Sequence, residues 1–311
     1  MSLRILLIGK SGQIGGELAA SLPRLGETTA LGREDLDLCD LDSIPRVIRN
    51  VRPDLIINAA AYTSVDKAES EPAVARLINT AAPAAIANEA KDIGAALIHF
   101  STDYVFDGTK RSPYTEADSP NPLGVYGRTK LEGEEAIRRA GIPHIIFRTA
   151  WVYGTRGHNF LLTILRLASQ RDELRVVNDQ IGAPTWCRKI AEAATSICED
   201  LLSQGKEPRA AINEVNGTYH LTAGGSTSWY GFAEAILERI QSAPADLAWI
   251  RASGAAQPPK TPRLLGISTA DYPTAARRPA YSVLSNSLLE KTFGIRLAEW
   301  RSQLDSVFSE Q

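Results

Sequence analysis

Residues 5–15 read Ile5-Leu6-Leu7-Ile8-Gly9-Lys10-Ser11-Gly12-Gln13-Ile14-Gly15. The four apolar residues have the length of a buried strand, and Ile14–Leu22 carries helical periodicity. Three glycines at three-residue spacing lie between them. Such glycines permit a tight turn and let backbone N–H groups at a helix N-terminus approach an anionic ligand such as a pyrophosphate. The same spacing closes many ordinary strand–helix turns. Its position directly behind the first strand is what points to a dinucleotide site.

Outward from this turn the pattern repeats. Apolar runs of strand length recur at Thr28–Leu31, Leu55–Ile57, Ala96–Phe100 and Ile145–Phe147. A further short strand is expected just before Asp40. Helical periodicity falls at Ile44–Val51, Ala73–Ile93 and Tyr126–Arg139, and Gly94 and Gly141 stand where helices should stop. Continuous apolar strands separated by helices indicate an α/β fold, a Rossmann-type doubly wound parallel sheet covered on both faces.

Beyond residue 150 the pattern loosens. Helices are expected at Phe160–Ser169, Trp186–Leu202, Trp229–Ile240, Leu288–Phe293 and Leu297–Phe308, with short strands at Arg175–Val177, Thr218–Leu221 and Ala248–Arg251. Ser253–Pro279 reads as an irregular loop. The expected division is a nucleotide-binding domain over 1–150, with the helix 186–205 packing back on it. A smaller α/β substrate-binding domain would take 151–185 and 206–311.

The composition limits the function classes. The chain has 311 residues, 44% hydrophobic and 23% charged, with 34 basic against 36 acidic side chains and a formal charge of −2. Disordered chains are poorer in apolar residues, and nucleic-acid or membrane-surface binders carry a basic excess. Apolar runs stop far short of the roughly 18–20 residues that span a bilayer. Three cysteines, Cys39, Cys187 and Cys198, form no disulfide framework. The last two sit about 16 Å apart on one expected helix. The first residues are too weakly apolar for a secretory signal. These features predict a reduced, cytoplasmic protein with no nucleic-acid or membrane partner.

In an open parallel sheet, ligands bind beyond the carboxyl ends of the strands. The second strand ends on Gly32-Arg33-Glu34-Asp35. Arg33 favours a 2′-phosphate and therefore NADPH, while Glu34 and Asp35 leave NADH possible. Asp40 and Leu41 could flank the adenine, and Asp40 could equally cap a helix. Asn58-Ala59-Ala60-Ala61 follows the next main run, small enough for close approach to a flat cofactor. Ser101-Thr102-Asp103-Tyr104 ends the strand after it. Tyr126 and Lys130 lie four apart, on one helical face. A lysine ammonium beside a cationic nicotinamide would favour the phenolate of a tyrosine whose ordinary pKa is about 10.

Taken together, these motifs resemble the extended short-chain dehydrogenase/reductase family, most of whose members act on nucleotide-linked sugars. The resemblance extends through Asn58–Thr63, Val65-Asp66-Lys67-Ala68-Glu69, Arg148–Tyr153, Asn178–Thr185 and Ala276-Arg277-Arg278-Pro279. Within the family the pattern is nearest to reductases of dTDP-linked 4-keto-6-deoxysugars.

The resemblance implies a catalytic set of Thr102, Tyr126 and Lys130. Tyr126 would protonate the sugar oxygen at C4, Thr102 would hydrogen-bond it, and Lys130 would hold the nicotinamide ribose. The implied cofactor contacts are Gly9, Ser11, Gly12, Gln13, Ile14, Gly15, Arg33, Asp40, Leu41, Ala59, Ala60, Ala61, Tyr126 and Lys130. The implied substrate contacts are Thr102, Asp103, Tyr104, Trp151, Asn159, Gln180, Gly182 and Thr185. Trp151 would offer a flat apolar face to the sugar, Asn159 would bond the diphosphate, and the last three would shape the nucleoside pocket. Tyr104 stands where dehydratases of the family carry glutamate, so the reading favours reduction over loss of water.

Some members hold magnesium at a dimer interface through glutamates. Glu17 matches one such position, but Arg188 stands where another carboxylate would be, and no metal is expected. The chain is read as a monomer or a homodimer. Two alternatives stay open: a reductase or epimerase for another nucleotide-linked sugar, and a non-catalytic, cofactor-binding regulatory subunit.

Overall fold

The structure, a computed structural model, describes residues 3–203, 205–242, 249–250 and 260–309. Five strands form where apolar runs are read: β1 (Arg4–Ile8), β2 (Glu27–Leu31), β3 (Leu55–Asn58), β4 (Ala96–Thr102) and β5 (His144–Thr149). The strand Gly217–His220 joins one edge, giving the order Gly217–His220, β5, β4, β3, β1, β2. Every neighbouring pair is parallel. The Rossmann-type expectation holds.

Successive side chains of a strand point to opposite faces, so an unbroken apolar run serves two cores at once. Ile5, Leu7, Leu55, Ile57 and Ile98 meet Leu18 of α1 (Gln13–Ser21) and Ile190, Ala194 and Ile197 of the helix Cys187–Ser203. Leu6, Ile8, Ile56, Leu97 and Ile146 face the other way. They meet Ile44 and Ile48 of α2 (Ser43–Val51) and residues of two later helices. Each fully buried aliphatic side chain contributes roughly 1.5–3 kcal/mol. The sheet is thus held from both sides.

The order also fixes where a ligand can enter. From β1 the chain runs to β2 on one side, then returns to β3 on the other. The carboxyl ends of β1 and β3 therefore border the crevice of a topological switch point.

The single helix expected over Ala73–Ile93 is instead divided. After a short α3 (Val65–Ser70), α4 (Pro72–Arg76) passes through a π turn at Leu77–Ala81 into α5 (Ala82–Ile93). The inserted turn aims the fully buried Asn79 at the loop following β3, where it accepts from Tyr62 N–H at 2.8 Å and donates to Tyr62 O at 3.0 Å. The helix α6 (Val125–Ala140) starts without a cap of its own, and Glu69 of α3 supplies one by accepting from Val125 N–H at 2.8 Å.

Three further expectations are corrected. No strand forms between β2 and α2; Leu36 and Leu38 are buried in the core without strand pairing. Within the expected loop Ser253–Pro279, Arg263–Ile267 is a strand paired in parallel with Glu173–Val177. Of the strand expected at Ala248–Arg251, only residues 249 and 250 are described, and they are helical.

A separate apolar cluster joins Tyr153, Leu161, Leu165, Trp186, Phe232 and Trp300. Cys187 and Cys198 share one helix as expected, and all three thiols are free. No helix among the described residues is long and apolar enough to cross a membrane.

Candidate active site

At the switch point lies a cleft of about 580 Å³. Its floor is the glycine turn. Gly9 has φ +97°, and a Cβ there would sit 2.7 Å from Ala60 N. That conformation and that contact both require glycine. Gly15 does not line the cleft; a Cβ on it would stand 2.0 Å from Gly9 O. Its role is to let α1 pack beneath the turn. Ser11, Gly12, Gln13, Ile14, Ala59, Ala60 and Ala61 line the cleft as expected, together with Tyr126 and Lys130. The free amides at the start of α1 and the close approach of small residues fit a dinucleotide pyrophosphate.

The mouth is decided by charge. Lys10 draws the two nearby carboxylates to itself, with Asp35 at 2.6 Å and Glu34 at 3.3 Å. Gly32 N–H also donates to Asp35 at 2.9 Å. These bonds hold the Asp35 carboxyl below its ordinary range, the Lys10 hydrogen bond being the largest cause. Arg33 lines the cleft with its side chain 80% exposed and only a distant Asp37 at 4.0 Å. An exposed guanidinium and engaged acids suit a 2′-phosphate.

Asp40 and Leu41 lie outside the cleft lining, and Leu36, Asp37 and Leu38 take their place. Asp40 instead pairs with Arg46 at 3.7 Å, and its carbonyl accepts from Ser43.

On the cleft wall, Tyr126 and Lys130 project from the first two turns of α6. Thr102, at the end of β4, lies beside Tyr126 and favours its ionised form against the larger effect of burial. It also donates to Asp103 Oδ1 at 3.0 Å and accepts from Tyr104 N–H at 3.2 Å. Burial pushes Tyr126 up to about 12, so without ligands it is a phenol. Burial brings Lys130 down to about 8 and raises Asp103 to about 6. Asp103 Oδ2 is buried without a partner. Two perturbed groups in the cleft wall, Tyr126 and Lys130, with Asp103 buried next to Thr102, mark a functional site.

A buried ion pair fixes this wall. Glu134 of α6, fully buried, accepts from Arg148 of β5 at 2.9 and 2.7 Å and from Ser101 of β4 at 2.6 Å. Asp66 accepts from Arg278 at 2.7 Å, and Arg278 lies near enough to Tyr104 for each to favour the other's charged form. Tyr104 meets Tyr126 edge-on at 5.5 Å. The motifs 65–69 and 276–279 are therefore braces for Tyr126.

The expected sugar contacts fare unevenly. Trp151, at the unusual φ of 47°, stacks on Trp229 at 3.4 Å with 1° between the planes. Its ring covers Gly182, where a Cβ would meet it at 2.3 Å. Trp229 thus occupies one flat face of the indole. Gln180 links Trp229 Nε1 at 3.1 Å to Thr269 at 3.0 Å. Thr185 is fully buried and bridges Ala183 O to Ala223 N–H, which removes it from the pocket surface. Asn159 caps the helix Phe160–Ala168 by accepting from Leu162 N–H, while its amide donates to Gln13, Gly154 and Arg156. Its hydrogen-bonding groups are spent within the protein. Glu17 accepts from Arg156 at 2.6 Å and Arg188 at 3.0 Å, so its carboxylate already faces two cations.

Asn79, Arg278, Trp229, Gly157 and His158 complete the site and its supports without having been expected there. Arg278 had a signal in the motif 276–279 and His158 as the neighbour of Asn159, whereas Asn79 and Trp229 had none.

Comparison with known proteins decides the family. The sequence pattern of the RmlD substrate binding domain family matches residues 3–311. The chain belongs to this family. Among RmlD relatives, the dTDP-4-dehydrorhamnose reductase of Burkholderia thailandensis is 45% identical over 299 residues, covering 96% of each protein. That of Escherichia coli K12 is 41% identical, covering 99% of this chain and 98% of its own. Among solved RmlD-like structures, a dTDP-4-dehydrorhamnose reductase from Bacillus anthracis in complex with NADP superimposes with a TM-score of 0.84 at 32% identity, covering all of both chains.

Proposed function

We propose that this chain reduces the 4-keto group of dTDP-4-dehydro-β-L-rhamnose to give dTDP-β-L-rhamnose, using NADPH, with NADH as a possible substitute. The observation that carries the reading is Tyr126 and Lys130 on the wall of the glycine-turn cleft with Thr102 buried beside Tyr126, in a chain whose full-length relatives are reductases of this kind. The nicotinamide, when bound, supplies the hydride.

The chain's own residues do the rest. The amides around Gly12 and the Arg33 guanidinium hold the phosphates. Tyr126, a phenol at neutral pH, gives its proton to the oxygen that gains charge at C4. Thr102 stabilises that oxygen by a hydrogen bond, and solvent replaces the proton on Tyr126. Lys130 holds the nicotinamide ribose. Asp103, Tyr104, Trp151, Gln180 and Gly182 form the sugar side, with Trp229 bracing Trp151.

In this reading residues 1–150 and the helix 186–205 serve the cofactor, while 151–185 and 206–311 serve the sugar nucleotide. The chain works in the cytoplasm as a monomer or homodimer, without nucleic acid. The deciding test incubates the protein with enzymatically made dTDP-4-keto-rhamnose and NADPH and identifies the product sugar by NMR. L-rhamnose is expected; another epimer, or no turnover, overturns the assignment.

A further inference from the structure

The chain weaves in and out of the cleft at its mouth. Gly32 and Arg33 line it, Glu34 and Asp35 leave it, and Leu36, Asp37 and Leu38 line it again. In the glycine turn, Gly9 and Ser11 line the cleft while Lys10 between them does not. Lys10 and the two acids therefore meet outside the lining, with Nζ 2.6 Å from Asp35 Oδ2 and 3.3 Å from Glu34 Oε1. The backbone of Lys10 is tied to the sheet, since its N–H donates to Leu31 O at 3.0 Å.

Glu34 shows what this pairing controls. Gly32, the first residue past β2, has no side chain, and a Cβ on it would stand 2.5 Å from both Glu34 carboxylate oxygens. The carboxylate thus lies over the strand end, the place from which an acid in this fold accepts from the ribose 2′-hydroxyl of NADH. Because it is carried by position 34 and not 32, its own torsions can move it without moving the strand. Lys10 is the one cation paired with it among the described residues. Gly32 N–H also holds Asp35, at 2.9 Å, so Glu34 is the acid that depends on Lys10 most. The third acid nearby, Asp37, stays in the lining, where it accepts from Cys39 N–H at 3.0 Å and faces Arg33 at 4.0 Å.

We infer that Lys10 is a specificity-determining positioning residue: it holds Glu34 and Asp35 outside the cleft, so that the 2′ position of the cofactor meets Arg33 and not a carboxylate. The inference deepens the NADPH reading of this cleft and rests on it for the identity of the ligand. Without Lys10 the acids are free to turn toward the ribose. There a 2′-hydroxyl is a donor for them, whereas a 2′-phosphate is a like charge.

The test is calorimetric titration of the full chain with NADPH and with NADH, with no sugar nucleotide present. Lys10→Met should lower the preference for NADPH, read as the ratio of the two Kd values, by about tenfold. Lys10→Arg still reaches both acids and should keep the ratio within about twofold. In a Glu34→Gln/Asp35→Asn background, Lys10→Met should leave the ratio unchanged, because no charged acid remains to be held. An equal fall in both backgrounds would mean that Lys10 acts on the phosphate itself and overturns the inference, as does no fall in either. If Lys10→Met disturbs the turn, Lys10→Gln makes the same comparison. The quantity read is the shift of the ratio, so a chain that preferred NADH from the outset would correct the cofactor reading and still decide the role of Lys10. Keto-sugar turnover enters at no point, so its failure leaves this result legible.

Discussion

At the residue scale, three side chains make the reading testable. Tyr126→Phe keeps the ring that packs against Tyr104 and removes only the proton. Folding and NADPH binding should persist while kcat falls by about 10²–10⁴, the usual worth of a general acid. Arg33 stands nearly free at the mouth, so Arg33→Ala should raise the Kd for NADPH about tenfold or more by calorimetry and leave NADH unchanged. Asp103 offers a stability test. Its carboxyl ionises near 3.8 in ordinary surroundings and near 6 in the fold, because burial penalises the charge. Between those values the folded chain keeps a proton that the unfolded chain has lost. Stability contributed by this group is therefore present below about pH 4 and lost as pH rises through about 6. Urea unfolding of Asp103→Asn should show a flatter profile across that window, and an unchanged slope would refute the assignment.

At the scale of elements, legibility follows the range of the interaction. The strands were readable because each one's apolar run is its own signal, and the glycine turn because its constraints lie within seven residues. Tyr126 and Lys130 were readable because helical geometry ties positions four apart. What stayed hidden depends on partners distant in the chain: Glu69 capping α6, Arg278 holding Asp66 near Tyr104, Trp229 lying on Trp151. The strand expected before Asp40 is absent because Leu36 and Leu38, apolar enough to look like one, are buried without pairing. The division of 73–93 was invisible because a π turn adds one residue to the helical repeat without changing composition. A prediction belongs here. Glu69→Ala should cost about 1 kcal/mol in denaturant unfolding, the worth of a cap, and lower kcat because Tyr126 sits in the turn it secures. Deleting one residue of the π turn should regularise the helix but rotate Asn79 by about 100° away from Tyr62, weakening cofactor binding more than it weakens the fold.

At the scale of the whole molecule, two apolar clusters are joined by polar contacts around α1. Ser21 hydrogen-bonds Thr195 at 2.8 Å, and Glu17 accepts from Arg156 and Arg188. Arg156 lies between Trp151, which the proposed function assigns to the sugar, and Gly157 and His158, which line the cleft. Glu17 therefore sits on the helix that opens at the glycine turn and touches the segment connecting the two proposed ligand sites. The arrangement carries a thermodynamic obligation. If NADPH steadies that segment, the sugar nucleotide binds more tightly by some factor, and NADPH must gain affinity by that same factor when the sugar nucleotide is bound first. Titrations in both orders should return one number, and Glu17→Gln should bring it toward unity while each ligand, alone, still binds.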